Sequence, residues 1–170
     1  MVILFSDRKS TVEKEIITIL TNHGGNYISD KAILGSNGFF TVVSEYKKTD
    51  LKINRGIAVF CDNTERFEKQ TFPQGIIGIC EDSNQNALSL FAKSKIPVIS
   101  CGMSAKNTVT LSSLNNGYLL TALQRTLTDN CGKDIEPAEF KIKLNSAYNP
   151  FSVMASAAVL LLKGTVPKQF

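Results

Sequence analysis

The stretch "PQGIIGICEDSNQNALSLFAKSKIPVISCGMS", residues 73–104, decides how the rest of the chain is read. Its first apolar run ends abruptly at Cys80-Glu81-Asp82, and a second run, Ile96 to Ser100, ends at Cys101-Gly102. Between them, Ala87, Leu88, Leu90 and Phe91 fall at helical spacing. Continuous apolar strands joined by a helix are the mark of a parallel sheet buried on both faces.

The same grammar extends upstream. "GIAVF" at residues 56–60 is another short buried strand, ending at Cys61-Asp62-Asn63, and "FFTVVSEY" at residues 39–46 precedes it. Val2 to Phe5 opens the chain as an apolar run. Val12, Ile16, Ile19 and Leu20 then make one stripe of an amphipathic helix. Ser10 and Glu13, three apart, predict a capping box at its start, and Gly24-Gly25 a stop at its end. Gly35 to Gly38 predict a turn.

After Gly102 the grammar changes. "NTVTLSSL", "YLLTALQRTL" and "EFKIKL" read as strands with no helices between them, as in an antiparallel sheet. "NPFSVMASAAVLLLKG" closes the chain as a helix, with Pro150 in its first turn and Gly164 at its end. The expected fold is α/β: a mainly parallel sheet with flanking helices over 1–104, a small antiparallel sheet over 105–146 and a C-terminal helix over 147–164. All of it belongs to one domain, 1–170. Small residues from Ala155 to Ala158 let that last helix pack closely beneath the sheet, or against a second copy in a homo-oligomer.

Composition narrows the function classes. The chain has 170 residues, 43% apolar and 20% charged, with a formal charge of +4. Its basic residues are scattered, and the longest run is a pair such as Lys47-Lys48. Nucleic-acid partners are therefore not expected, since phosphate-tracking surfaces concentrate charge. The longest apolar stretch falls short of a membrane span, which takes about 20 residues. No secretory leader is read at the start, so the expected location is the cytoplasm and the four cysteines are expected as thiols.

Three stretches together resemble the Mur ligases. "LFSDRKSTVEKEIITILTNHGG" has the layout of that family's nucleotide-binding loop, T-G-x-N-G-K-[ST]-T, and the helix after it. Lys9, Ser10 and Thr11 stand where its Lys, Ser/Thr and Thr stand. "GIIGICEDSNQNALSLFAKSKIPVISCGM" is similar to the strand, Asn-x-Asp-Asp turn, helix and strand of the family. "FKIKLNSAYNPFSVMASAAVLLLKG" resembles its closing Leu-x-Gly-x-His-Asn-x-x-Asn and Ala-rich helix. There Asn149 matches the first Asn, while Tyr148 and Ser152 replace the His and the second Asn. The resemblance implies a stand-alone central ATPase domain, lacking the family's N- and C-terminal domains.

The departures fall on the chemistry. Phe5 and Arg8 occupy the two glycine positions of a loop whose backbone must wrap phosphates. A side chain at position 8 crowds that space. Lys9 and Ser10 keep the types that hold phosphate and Mg²⁺, and the resemblance makes Glu45 a counterpart of the magnesium-binding Glu. The family's Asp-His pair is not visible in "CDNTERF", and its carbamylated lysine has no counterpart.

The sequence thus points to a non-catalytic binding or regulatory module with a degenerate phosphate loop and no required cofactor. Its ligand, a small anion or a protein, is expected at the carboxyl edge of the sheet, where open α/β sheets bind. The candidate residues are Ser6, Asp7, Arg8, Lys9, Ser10, Glu45, Glu81, Asp82 and Asn149. The alternative is an ATP- and Mg²⁺-dependent enzyme or nucleotide binder with an altered loop. A third reading makes Cys61, Cys80 and Cys101 a zinc or thiol-redox site, against the plainer reading of buried core thiols. Glu81 and Asp82 serve as acid/base or Mg²⁺ ligands in one reading; in the other, Asp82 or Ser83 caps the next helix. His23 reads as a helix-end residue, and Cys131, beside Gly132, as the thiol nearest solvent.

Overall fold

The computed structural model describes residues 1–35, 38–115, 117–129 and 132–170. Cys131 and the middle of the turn expected at Gly35 to Gly38 lie outside the described residues.

The chain runs β1 (Val2–Phe5), α1 (Thr11–Asn22), β2 (Gly25–Ile28), β3 (Ile33–Leu34), β4 (Phe40–Glu45), β5 (Gly56–Phe60), β6 (Ile76–Glu81), α2 (Gln85–Ser94) and β7 (Val98–Gly102). It continues through β8 (Val109–Asn115), β9 (Tyr118–Leu123), β10 (Leu127–Thr128), β11 (Asp134–Ile135), β12 (Ala138–Lys143) and α3 (Pro150–Leu162). Ten strands form one sheet in the order β12-β9-β8-β7-β6-β5-β1-β4-β2-β3. From β8 back to β2, neighbouring strands are parallel; β3, β9 and β12 pair antiparallel at the two flanks. β10 and β11 make a separate two-stranded antiparallel sheet. The α/β architecture expected from the apolar runs is the one observed.

Each central strand is apolar on both faces because each face is covered. In β1, Val2 and Leu4 enter the core beneath α1 and α3, while Ile3 and Phe5 enter the one beneath α2. Strand alternation divides β5 in the same way: Ile57 and Val59 on one face, Ala58 and Phe60 on the other. α3 lies under β6, β7 and β8 and against α1. Every residue from Phe151 to Leu162 is buried, which is why the helix is apolar all round. Asn149 caps its start, accepting the Phe151 N–H at 2.8 Å, and Pro150 sits in its first turn. Gly164, at φ +77°, lets the chain turn away at its end.

Three local expectations change. Residues 25–34 carry two strands the sequence reading left unassigned; Gly24, at φ +85°, ends α1 and sends the chain straight into β2. "YLLTALQRTL" is two strands, since β9 stops at Leu123 and Leu127 joins β11 instead. The capping box is half formed: Ser10 Oγ accepts the Glu13 N–H at 3.1 Å, but the Ser10 N–H donates to the Asp7 carbonyl at 2.9 Å. His23 does cap α1, with Nδ1 2.7 Å from the Ile19 carbonyl and its ring edge-on to Phe170.

Candidate functional site

The loop from Ser6 to Ser10 leaves β1 at the carboxyl edge and feeds the N-terminus of α1. An anion is expected at such a place, because the free backbone N–H groups and the helix dipole both favour negative charge. The anion found there is the chain's own. β5 neighbours β1, and the residue pair after it places the Asp62 carboxylate in the loop. Asp62 Oδ2 accepts the Asp7 N–H at 2.9 Å, and Oδ1 accepts the Ser10 hydroxyl at 3.0 Å.

Asp62 also fixes its neighbours. Its carbonyl accepts from Asn84 Nδ2 at 3.1 Å, while Asn84 Oδ1 accepts the Ala87 N–H at 3.0 Å and so caps α2. One residue thereby ties together the entries to α1 and α2. The cap expected from Asp82 or Ser83 is instead Asn84, for a tertiary reason: Asn84 alone both caps and reaches Asp62. Asp7 closes the outer side of the loop through an ion pair with Arg66 at 3.4 Å. Sequence reading missed Asp62, because only the adjacency of β1 and β5 gives it meaning.

The other candidates divide. Ser6 is fully buried, its hydroxyl without a partner among the described residues and its N–H bonded to the Glu45 carbonyl at 3.2 Å. Arg8 and Lys9 are exposed. Glu45 Oε2 accepts the Thr49 hydroxyl at 2.6 Å. Asp82 accepts from Asn107 Nδ2 at 2.7 Å, and Glu81 from Ser83 Oγ at 3.0 Å. Gly102 lies close beside them: a Cβ there would displace the Asp82 carboxylate and the Asn107 amide. Asn149 stands at the same edge, its N–H donating to the Glu15 carboxylate of α1 at 2.9 Å.

The three strand-end cysteines do not converge. Cys80 is registered opposite Ser100 and Glu81 opposite Cys101, so Cys80 and Cys101 face opposite sides of the sheet. Cys61 and Cys101 belong to the core under α1 and α3, and Cys80 to the core under α2. Among the described residues no group of three His, Cys, Asp or Glu side chains is placed to hold a metal ion.

Burial pushes all three thiols up. Cys80 rises to about 12, with Asp82 and Glu81 adding to the effect of burial. Cys61 and Cys101 rise well above their ordinary value for the same first cause. A thiol whose folded pKa is raised stabilises the fold fully below its unfolded pKa and loses that contribution as pH climbs. For Cys80 the window runs from 9.0 to about 12. Stability in urea should therefore fall as pH rises through this window, less steeply in Cys80→Ala; equal slopes would contradict the assignment.

A second polar group lies behind the loop. Glu13 is 3% exposed and its Oε1 has no partner among the described residues. Burial, and then the nearby Glu13 charge, push the Tyr46 phenol well up from its ordinary value, against a hydrogen bond with Ser44 that lowers it. The Tyr27 and Ser44 hydroxyls meet at 3.1 Å. Of these four residues only Glu13 stood out in the sequence, and there as a capping residue.

No protein-family model and no curated protein matches the sequence. Solved structures do match. The UDP-N-acetylmuramate:L-alanyl-gamma-D-glutamyl-meso-diaminopimelate ligase of Neisseria meningitides superposes with a TM-score of 0.63 at 11% identity, over 99% of this chain and 62% of that one. The MurF ligase of Thermotoga maritima, in complex with ADP, gives 0.60 at 11% identity, over 98% and 46%. A UDP-N-acetylmuramoyl-L-alanyl-D-glutamate–2,6-diaminopimelate ligase gives 0.56 at 8% identity, over 96% and 43%. The chain has the fold of the Mur ligases and spans less than two thirds of each of these chains. No helix among the described residues is long and apolar enough to cross a membrane.

Proposed function

We propose that this chain, built on the Mur-ligase fold, is a non-catalytic binding or regulatory module whose phosphate loop is closed by its own carboxylate. The observation that supports the reading is Asp62, which accepts the Asp7 N–H and the Ser10 hydroxyl at 2.9 and 3.0 Å. A nucleotide phosphate entering the loop would meet a carboxylate already bonded to its donors. Removing that carboxylate from bonds to a helix N-terminus costs about 1–3 kcal/mol before any phosphate contact forms. Arg8, where the family has glycine, adds side-chain bulk at the same spot. What the edge binds instead is a small ligand bearing a negative charge, received beside the closed loop.

The ADP in the MurF structure favours the other reading, in which Lys9, Ser10 and Glu45 hold ATP and Mg²⁺. The two separate in a thermal-stability titration. True binding at 100 times Kd would stabilise the fold by about 2.7 kcal/mol. The module predicts no Mg²⁺-dependent shift at millimolar ATP. It also predicts that Lys9→Ala, an exposed side chain, changes ligand-free stability by no more than about 0.5 kcal/mol. A saturable shift abolished by Lys9→Ala would establish the nucleotide reading.

A further inference from the structure

We propose that the cleft between α2 and the turn that begins at Glu65 is a binding site for a polyol monophosphate, a phosphate ester on a body carrying several hydroxyl groups. The inference goes beyond the reading above and does not depend on what fills the loop from Ser6 to Ser10. The cleft encloses about 460 Å³, within the range of sites for small molecules, about 300–1,000 Å³. Glu68 and Lys69 line it from the turn; Asn86, Ser89, Leu90 and Lys93 line it from α2. It lies on the α2 face of the sheet, opposite the face that α1 and α3 cover.

Both walls are fixed from beneath. Glu68 and Lys69 are exposed, yet the residues on either side of them, Phe67 and Gln70, are buried. The Phe67 ring stands edge-on to Phe5 and Phe60 at 5.1 and 5.7 Å. Gln70 Oε1 accepts the Thr49 N–H at 2.9 Å, and Nε2 donates to the carbonyls of Thr49 and Thr71 at 2.8 and 2.9 Å. The opposite wall is one stripe of α2, since Asn86, Ser89 and Lys93 recur at helical spacing. Ala87, Leu90 and Phe91 anchor that helix in the core. A ligand docking here has neither wall to order first, which lowers the cost of binding.

The charges of the cleft have no partners of their own. The ion pairs among the described residues are Lys52–Asp50 and Arg66–Asp7, and neither includes Glu68, Lys69 or Lys93. Asn86 Nδ2 donates to Asn63 Oδ1 at 3.0 Å, which leaves Asn86 Oδ1 as an open acceptor. Two ammonium groups in one cleft favour an anion, and lysine is a compact point charge suited to phosphate. Inorganic phosphate would serve the lysines but be repelled by Glu68, and it would leave Asn86 Oδ1 unserved. An ammonium on the ligand would suit Glu68 but stand between two lysines. Hydroxyl groups resolve both conflicts, donating to Glu68 and Asn86 Oδ1 and accepting from the Ser89 hydroxyl. The ligand that meets every group carries phosphate at one end, on Lys69 and Lys93, and hydroxyls along the rest of its body.

The test is calorimetric titration of the whole chain with glucose 6-phosphate, with glucose, which lacks the phosphate, and with inorganic phosphate, which lacks the polyol. Saturable binding of glucose 6-phosphate is expected, weaker by about tenfold or more for either part alone. Lys69→Gln and Lys93→Gln should each weaken glucose 6-phosphate by about tenfold without altering thermal unfolding, because both side chains are exposed. Glu68→Ala removes an acceptor for hydroxyls and a charge that repels phosphate. It should therefore narrow the preference for glucose 6-phosphate over inorganic phosphate by about fivefold. No saturable heat with glucose 6-phosphate would overturn the proposal. So would inorganic phosphate that binds equally well, lysine variants that bind as the parent does, or a preference untouched by Glu68→Ala.

Discussion

Ala157→Asp is expected to remove a large share of the fold's stability and to broaden its unfolding. Ala157 is fully buried in α3, within the apolar core between the sheet and α1, so a carboxylate there is removed from water into apolar surroundings. Leaving a buried charge uncompensated costs about 3–5 kcal/mol, a large share of the roughly 5–15 kcal/mol that holds a domain together. Far-UV circular dichroism against urea gives the readout: a broad, early transition is expected for the variant. A sharp transition close to that of the parent would mean that α3 is not the central buried element described. Ala157→Ser, similar in size and neutral, should retain cooperativity, which separates charge from volume.

The second large effect is in the other core. Phe60→Ala is expected to cost about 3–5 kcal/mol, the usual range for deleting a buried aromatic ring. Phe60 is 1% exposed and stacks on Phe5 at 5.0 Å between ring centroids; Phe67 and Phe91 stand edge-on to it at 5.7 and 5.3 Å. Its loss opens a cavity shared by β1, β5, the turn at Glu65–Phe67 and α2, so no single neighbour can collapse into it. Phe39→Ala is the control: 63% exposed, its side chain should move the urea midpoint little. Similar losses for the two would contradict the placement of the aromatic cluster.

The parts of this fold that were legible in sequence are those where burial writes a period. β1, β5, β6 and β7 are buried on both faces and read as unbroken apolar runs; α1 shows one stripe, and α3 is apolar throughout. β2 and β3 escaped because four residues of mixed burial and two exposed ones carry no pattern. Three consecutive residues, Asp82, Ser83 and Asn84, could each cap α2. The choice falls to contacts with Asp62 and Asn107, which no local window contains. The cysteine question was of the same kind. Three strands ending in Cys look convergent until register assigns Cys80 and Cys101 to opposite faces.

At the candidate site the loop was legible and its occupant was not. Ser10 and its neighbours stand out as a strand followed by a helix start. Asp62, the residue that fills the loop, is separated from Ser10 by 52 positions and comes to it only because β5 pairs with β1. The cavity of about 450 Å³ lined by Arg8, Ile28, Asp30 and Val43 likewise needs β2, the strand the sequence concealed.

Closure of the loop by Asp62 can be read at the Asp7 amide. Its N–H donates to the Asp62 carboxylate at 2.9 Å, so its proton resonance reports what occupies the loop. With the amide assigned by NMR, millimolar Mg²⁺–ADP is expected to leave the Asp7 resonance in place. Asp62→Ala, which removes the acceptor, is expected to shift that resonance upfield. A saturable, Mg²⁺-dependent movement of the Asp7 amide in the parent chain would show that nucleotide displaces Asp62, and the closed-loop account would be wrong.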